Sequence, residues 1–218
     1  MELSDIKVAL EHPDFQYRLK AIAALKAYSA EVAVPLLLQT ANDPEFLVRT
    51  FVARGLGQQP TAESFAALLE LMKLDNTPSV RAEAANSLSL FGRVAASHLV
   101  QAFIQDDHWL LRRSILAALA DLRCLPELYE VCVQALAGDD ATVQETAIAA
   151  LGLLADSPQQ DVALAQLLAL SQSTAQNIRQ HVAYALKHFA DPQARAALMQ
   201  LRQDADHRVV GAALEELM

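Results

Sequence analysis

The stretch Asp43-Pro44-Glu45-Phe46-Leu47-Val48-Arg49-Thr50-Phe51-Val52-Ala53-Arg54-Gly55-Leu56 decides the fold. Val48, Val52 and Leu56 recur every four residues and therefore line one face of a 3.6-residue helix. Arg49 follows the first of them, and Asp43 stands six positions before that arginine. The same phrase, an apolar residue then Arg, then an alanine-rich stretch ending on Leu, returns along the whole chain. Its instances are Tyr17-Arg18, Val48-Arg49, Val80-Arg81, Leu111-Arg112, Val143-Gln144, Ile178-Arg179 and Val209-Val210. Their second members are spaced by 31, 32, 31, 32, 35 and 31 residues, a period of the kind that builds repeat proteins.

Each phrase predicts an amphipathic helix, the second of its repeat. Three residues after the second member stand Ala21, Val52, Ala84, Ile115, Ala147, Val182 and Ala213, and seven after it Leu25, Leu56, Leu88, Leu119, Leu151, Leu186 and Leu217. Six residues before it stand Asp43, Asp75, Asp106, Ser173 and Asp204, with Asp139 one place later, so these residues are expected to start the second helices by accepting free backbone N–H groups. Apolar-periodic segments at Glu31 to Ala41, Ala62 to Leu74, Val94 to Gln105, Leu125 to Leu136, Asp161 to Ser171 and Pro192 to Arg202 predict the first helices. Pro35, Pro126 and Pro192 are expected near first-helix starts, and Gly57, Gly92 and Gly152 near second-helix ends.

A lone helix pair cannot cover its own apolar face, so neighbouring pairs must stack. The expected fold is an all-α, right-handed α-solenoid of about seven helix pairs, with second helices on the concave side and no domain boundary. The units are expected near residues 3–28, 30–58, 62–92, 93–123, 125–155, 160–190 and 192–217.

The phrases Asp43 to Arg49 and Ser79-Val80-Arg81-Ala82-Glu83-Ala84-Ala85 resemble the HEAT repeat, more narrowly the short HEAT-like repeat named after phycobilisome lyases. That resemblance covers nearly the whole chain. It implies that the repeated arginines Arg18, Arg49, Arg81, Arg112 and Arg179 pair with turn aspartates in a structural ladder, which Gln144 and Val210 break. It also implies two roles. One is an adaptor for phycobiliproteins or another photosynthetic assembly in a cyanobacterial cytoplasm. The other is a phycobilin lyase or isomerase-like subunit, working as a heterodimer and holding an open-chain tetrapyrrole on the concave surface.

Composition narrows the function classes. The 218 residues are 53% hydrophobic and 6% aromatic, the mix of an Ala/Leu-rich helical protein. With 17 basic and 26 acidic side chains the net charge is −9, which lacks the basic footprint of a nucleic-acid partner. The N-terminal Met1-Glu2-Leu3-Ser4-Asp5 is no signal peptide, and runs such as Ala147 to Ala155 are too short to enter a membrane, so a cytoplasmic protein is expected. Cys124 and Cys132 fit neither a zinc nor a redox CxxC spacing and are expected to be packed, reduced thiols. His181 and His188, two helical turns apart, are too distant to share a metal, and no HExxH, GxSxG or P-loop occurs. Repeated His-Glu pairs, which the resemblance associates with metal enzymes of the deoxyhypusine hydroxylase kind, are missing too. No catalytic residue, metal or cofactor is expected.

Binding residues are sought on the second helices, where positions one, two, five and nine after the repeated Arg face away from the apolar stripe. There Phe51, Arg54, Asn86 and Arg113 are expected to bind protein, together with Trp109 in the first turn of its helix. His181, Tyr184 and His188 form a column that could touch a ligand. Phe15 and Phe46, which share the register of Trp109, are expected to cover the groove between units. The chain's end, Leu214-Glu215-Glu216-Leu217-Met218, has no polar cap after it, so the C-terminal repeat is the expected contact of a heterodimer.

Overall fold

The computed structural model describes residues 1–214. Among them are fourteen α-helices and two short 3-10 segments, and no strand. The helices pair as expected: α1 (Leu3–Leu10) with α2 (Phe15–Ala24), α3 (Ala30–Gln39) with α4 (Phe46–Gly57), α5 (Ala62–Leu74) with α6 (Pro78–Leu88), and α7 (Ala96–Gln105) with α8 (Trp109–Asp121). Then come α9 (Leu125–Leu136) with α10 (Ala141–Gly152), α11 (Gln160–Leu170) with α12 (Gln176–Leu186), and α13 (Pro192–Leu201) with α14 (His207–Leu214). The architecture is that of an α-solenoid. No described helix is long and apolar enough to cross a membrane.

The chain divides into two compact units, Met1–Ala118 and Leu119–Met218. In the first, second helices α2, α4 and α6 pack side by side as one layer, and α3, α5 and α7 form the other. In the second unit α10, α12 and α14 form one layer, with α11 and α13 opposite. The apolar stripe lies between the layers. Val48, Val52, Leu56, Val80, Ala84 and Leu88 have no exposed surface, and each large member adds about 1.5–3 kcal/mol by leaving water.

Small residues let the second helices come close. A Cβ added at Gly57 would lie 2.7 Å from Ser87 Cβ, and one at Gly152 would lie 3.2 Å from Ala185 Cα. These two glycines close their helices, as expected, but what requires them is the neighbouring helix. Gly92 differs: its φ of +79° kinks the 3-10 segment Ser89–Ala95 after α6 with a backbone conformation that only glycine adopts freely.

Three local expectations are corrected. Tyr17 occupies a stripe position yet is 48% exposed, because its ring leaves the stripe to stack on His12 at 4.0 Å, with Lys20 at 5.4 Å. Pro35 sits inside α3, not at its start, since that helix begins at Ala30. The turn aspartates do not cap the second helices themselves. Asp43, Asp75, Asp106 and Asp204 each accept the N–H two residues on, from Glu45, Thr77, His108 and Asp206. The helix cap stands at that later position, where Glu45, His108 and Asp206 accept from Leu47, Leu110 and Arg208. Asp140, not Asp139, caps α10 in the same register, through the Val143 N–H. A side chain four residues before the repeated Arg can reach the first free N–H groups, whereas one at six can only close the turn.

Leu217 and the terminal Glu215 to Met218, on which the heterodimer contact was placed, lie outside the described residues. Cys124 and Cys132 are both buried with no disulfide between them, and burial alone drives the Cys132 thiol far above its ordinary range.

Candidate functional site

The repeated arginine sets the geometry of the second-helix layer. Arg49 donates from Nη1 to the carbonyls of Asp43 and Pro44 in its own turn, at 2.8 and 3.3 Å. Its Nε and Nη2 reach forward to both oxygens of Asp75, at 2.6 and 3.0 Å. Arg18 holds Asp43 and Arg179 holds Asp204 in the same bidentate way. Arg81 lies 2.7 Å from Asp106 without the alignment of a hydrogen bond, while its Nη1 takes the Asp75 carbonyl. One side chain thus ties its own turn to the next. Arg112 donates to the carbonyls of Phe103 and Asp106, and Gln144 keeps only the backward arm, to Gly138 at 2.6 Å.

These straps leave an electrostatic signature. Burial pushes the Asp75 carboxyl up, but hydrogen bonds from Arg49 and the Thr77 N–H, with the Arg49 and Arg81 charges, bring it net below the ordinary carboxylate range. The Arg179 hydrogen bond holds Asp204 down likewise, and Arg208 holds Asp206 to about 2. A carboxyl whose folded pKa lies below its unfolded value of about 3.9 contributes stability fully above that value and loses it as pH falls through the folded value. Thermal melts are therefore expected to change little between about pH 7 and pH 5 and to fall steeply below about pH 4. A melting temperature that stays level through acid would contradict the strap assignment.

On the exposed side of the same layer, Phe51 and Arg54 of α4 face Glu83 and Asn86 of α6. Arg54 lies 5.5 Å from the Phe51 ring centroid and donates to both Glu83 oxygens at 2.9 and 3.2 Å. Asn86 is exposed one turn beyond Glu83. Trp109 and Arg113, one turn apart on α8, are also exposed, and the Trp109 ring stacks with His108 at 6.1 Å. Phe46 does not cover a groove: it is 41% exposed, while Phe15 is half-buried.

His181 and Tyr184 lie on α12, but His188 falls in the turn after that helix ends at Leu186, so the three do not form the expected single-helix column and each takes a separate partner. The His181 Nδ1 meets the Asn177 carbonyl at 2.8 Å, and its Nε2 lies 3.9 Å from Glu145. Lys187 lies 5.2 Å from the Tyr184 ring, and the exposed His188 packs over Gly152. Glu145, which also accepts from Asn177 at 2.8 Å, escaped the sequence reading. It stands one position after Gln144, in the register of Thr50 and Arg113, and that was the available signal. Among the described residues no three His, Cys, Asp or Glu side chains gather as metal ligands would.

Residues 5–89 and 129–218 match the sequence profile of HEAT repeats. The chain belongs to the HEAT-repeat family. Among solved structures it is similar to YibA of Escherichia coli, with a TM-score of 0.66 and 16% identity over 97% of this chain and 80% of that one. The complex of CpcE and CpcF of phycocyanin lyase from a Nostoc species matches with a TM-score of 0.55 and 18% identity over 98% and 94%. Human deoxyhypusine hydroxylase matches with a TM-score of 0.50 and 19% identity over 97% and 93%. Identities this low establish a shared HEAT-repeat fold and nothing about chemistry. No curated protein matches the sequence.

Proposed function

We propose that this HEAT-repeat chain is a non-catalytic protein-binding scaffold that works through the exposed second-helix face of its first unit. One observation carries the reading. Over a wholly aliphatic stripe, the outward side of α4, α6 and α8 presents Phe51, Arg54, Asn86, Trp109 and Arg113, aromatic and charged residues where alanine would have satisfied the fold. Trp and Arg dominate protein interfaces because they bury large area and keep directional donors. The grooves lined by Leu10 and Thr40, by Ile22 and Leu37, and by Leu38 and Leu71 are half open to solvent, which suits an extended partner better than an enclosed substrate.

The target we propose is a phycobiliprotein or a related photosynthetic assembly in a cyanobacterial cytoplasm. The resemblance of the repeats supports it, as does the fold shared with the CpcE and CpcF complex. We place a second, heterodimeric partner at the C-terminal repeat.

Capture from native lysate tests the face. Trp109→Ala and Arg113→Glu are each expected to weaken retention of the partner by at least about tenfold, the scale of a residue worth 1–2 kcal/mol. Both side chains are exposed, so the fold should survive both changes. If both variants retain every partner at wild-type level, the chosen face is wrong.

A further inference from the structure

At the start of that face, α2, α3 and α4 enclose a groove of about 180 Å³. Its floor is aliphatic, from Ile22, Leu25 and Leu37, and its rim carries Lys26, Arg54 and Phe51. The volume is well below the roughly 300–1,000 Å³ of sites that enclose a small molecule. It suits one or two side chains of a peptide.

Charge distinguishes this groove from its neighbours. The chain carries −9 overall, and four other grooves of the described surface each hold a carboxylate: Glu11 and Asp43, Glu70 and Asp75, Asp156, or Asp106. Here two cations stand on the rim and no acid is among the lining residues. Arg54 meets Glu83 through Nε and Nη2, and its Nη1 takes no part in that pair. The exposed Lys20, beside Tyr17, adds a further cation on α2. Complementary charge selects partners and speeds encounter more than it adds affinity.

We infer that this groove seats an acidic segment of a protein partner, with an aliphatic side chain on the Ile22, Leu25 and Leu37 floor and a neighbouring Asp or Glu between Lys26 and Arg54. The inference rests on the scaffold reading and names the chemistry of its partner.

The test uses the full chain and fluorescent synthetic peptides, read by anisotropy at low and high salt. One peptide alternates Glu and Leu, a second has Lys for every Glu, and a third has Ser for every Leu. The Glu/Leu peptide is expected to bind and to weaken with salt, and the other two to bind at least about tenfold more weakly. Lys26→Glu and Arg54→Glu should each cost about tenfold in affinity, with an unchanged melting temperature for Lys26→Glu, while Arg195→Glu in the second unit should change nothing. Equal binding of the Lys peptide, or indifference to both rim variants, overturns the inference. So does a free open-chain tetrapyrrole that displaces the peptide from the rim residues. A chain that captures proteins through Trp109 and Arg113 but ignores the acidic peptide would refute the groove assignment and leave the scaffold reading standing.

Discussion

Arg49→Ala is expected to cost about 3–5 kcal/mol of folding stability, a large fraction of the roughly 5–15 kcal/mol that a folded chain has. Asp75 is only 5% exposed, and it was desolvated with Arg49 against both its oxygens. Truncation leaves that carboxylate buried beside a single remaining cation, Arg81. It also removes donors from the Asp43 and Pro44 carbonyls and from Thr77 Oγ1. Arg49→Lys keeps the charge but cannot span both oxygens and both turns, so an intermediate loss is expected. The control is Arg54→Ala: its pair with Glu83 leaves the arginine half exposed at 53%, and exposed pairs contribute about 0–1 kcal/mol. Urea denaturation checks the order. If Arg49→Ala and Arg54→Ala cost the same, the straps do not hold the helix layer.

The second large effect is expected at Gly57. A methyl group there would lie 2.7 Å from Ser87 Cβ, 2.9 Å from its Oγ and 3.2 Å from its Cα, a contact that α4 and α6 can relieve only by separating. Gly57→Ala is therefore expected to cost about 1–3 kcal/mol, although alanine is the better helix former by about 1 kcal/mol. Ser87→Gly in the same chain removes two of the three clashing atoms. It should restore part of the loss, a coupling that a double-mutant cycle isolates. Gly211, with nothing within 4 Å of an added Cβ, is the comparison: Gly211→Ala should be neutral or stabilising. A Gly57→Ala chain as stable as wild type would mean that the helices do not approach this closely.

The fold was legible because its rules are local and repeated. A stripe such as Val48, Val52 and Leu56 can only be a buried helix face, and a period near 31 residues can only be satisfied by stacking. What escaped depended on atoms from a neighbouring repeat. Gly57 reads as a helix stop until α6 is placed against it, and Asp43 reads as a cap although its carboxylate closes the turn through the Glu45 N–H, its pairing with an arginine being what the resemblance implied. Tyr17 carries the stripe's register but is free to turn outward, because His12 offers its ring a partner there.

The candidate face was partly legible for the same reason. Phe51, Arg54 and Asn86 lie at fixed offsets from the repeated arginine, so the exposure of Arg54 and Asn86 and the half-buried place of Phe51 follow from one helix register. The groove beside them did not follow, since Leu37 joins it from the first-helix layer and Lys26 from beyond the end of α2. His181 and Tyr184 share α12, which stops at Leu186 before His188, and their partners Asn177, Glu145 and Lys187 could only be assigned in three dimensions.

Site-specific photo-cross-linking in native lysate tests most directly whether the second-helix face is where this chain works. A photoactivatable residue replaces Asn86 on α6 in one sample and Glu70, exposed on the first-helix side at α5, in another. The account predicts a discrete cross-linked protein from position 86, lost when Trp109→Ala and Arg113→Glu are added, and none from position 70. Cross-links from position 70 with none from position 86 would contradict it.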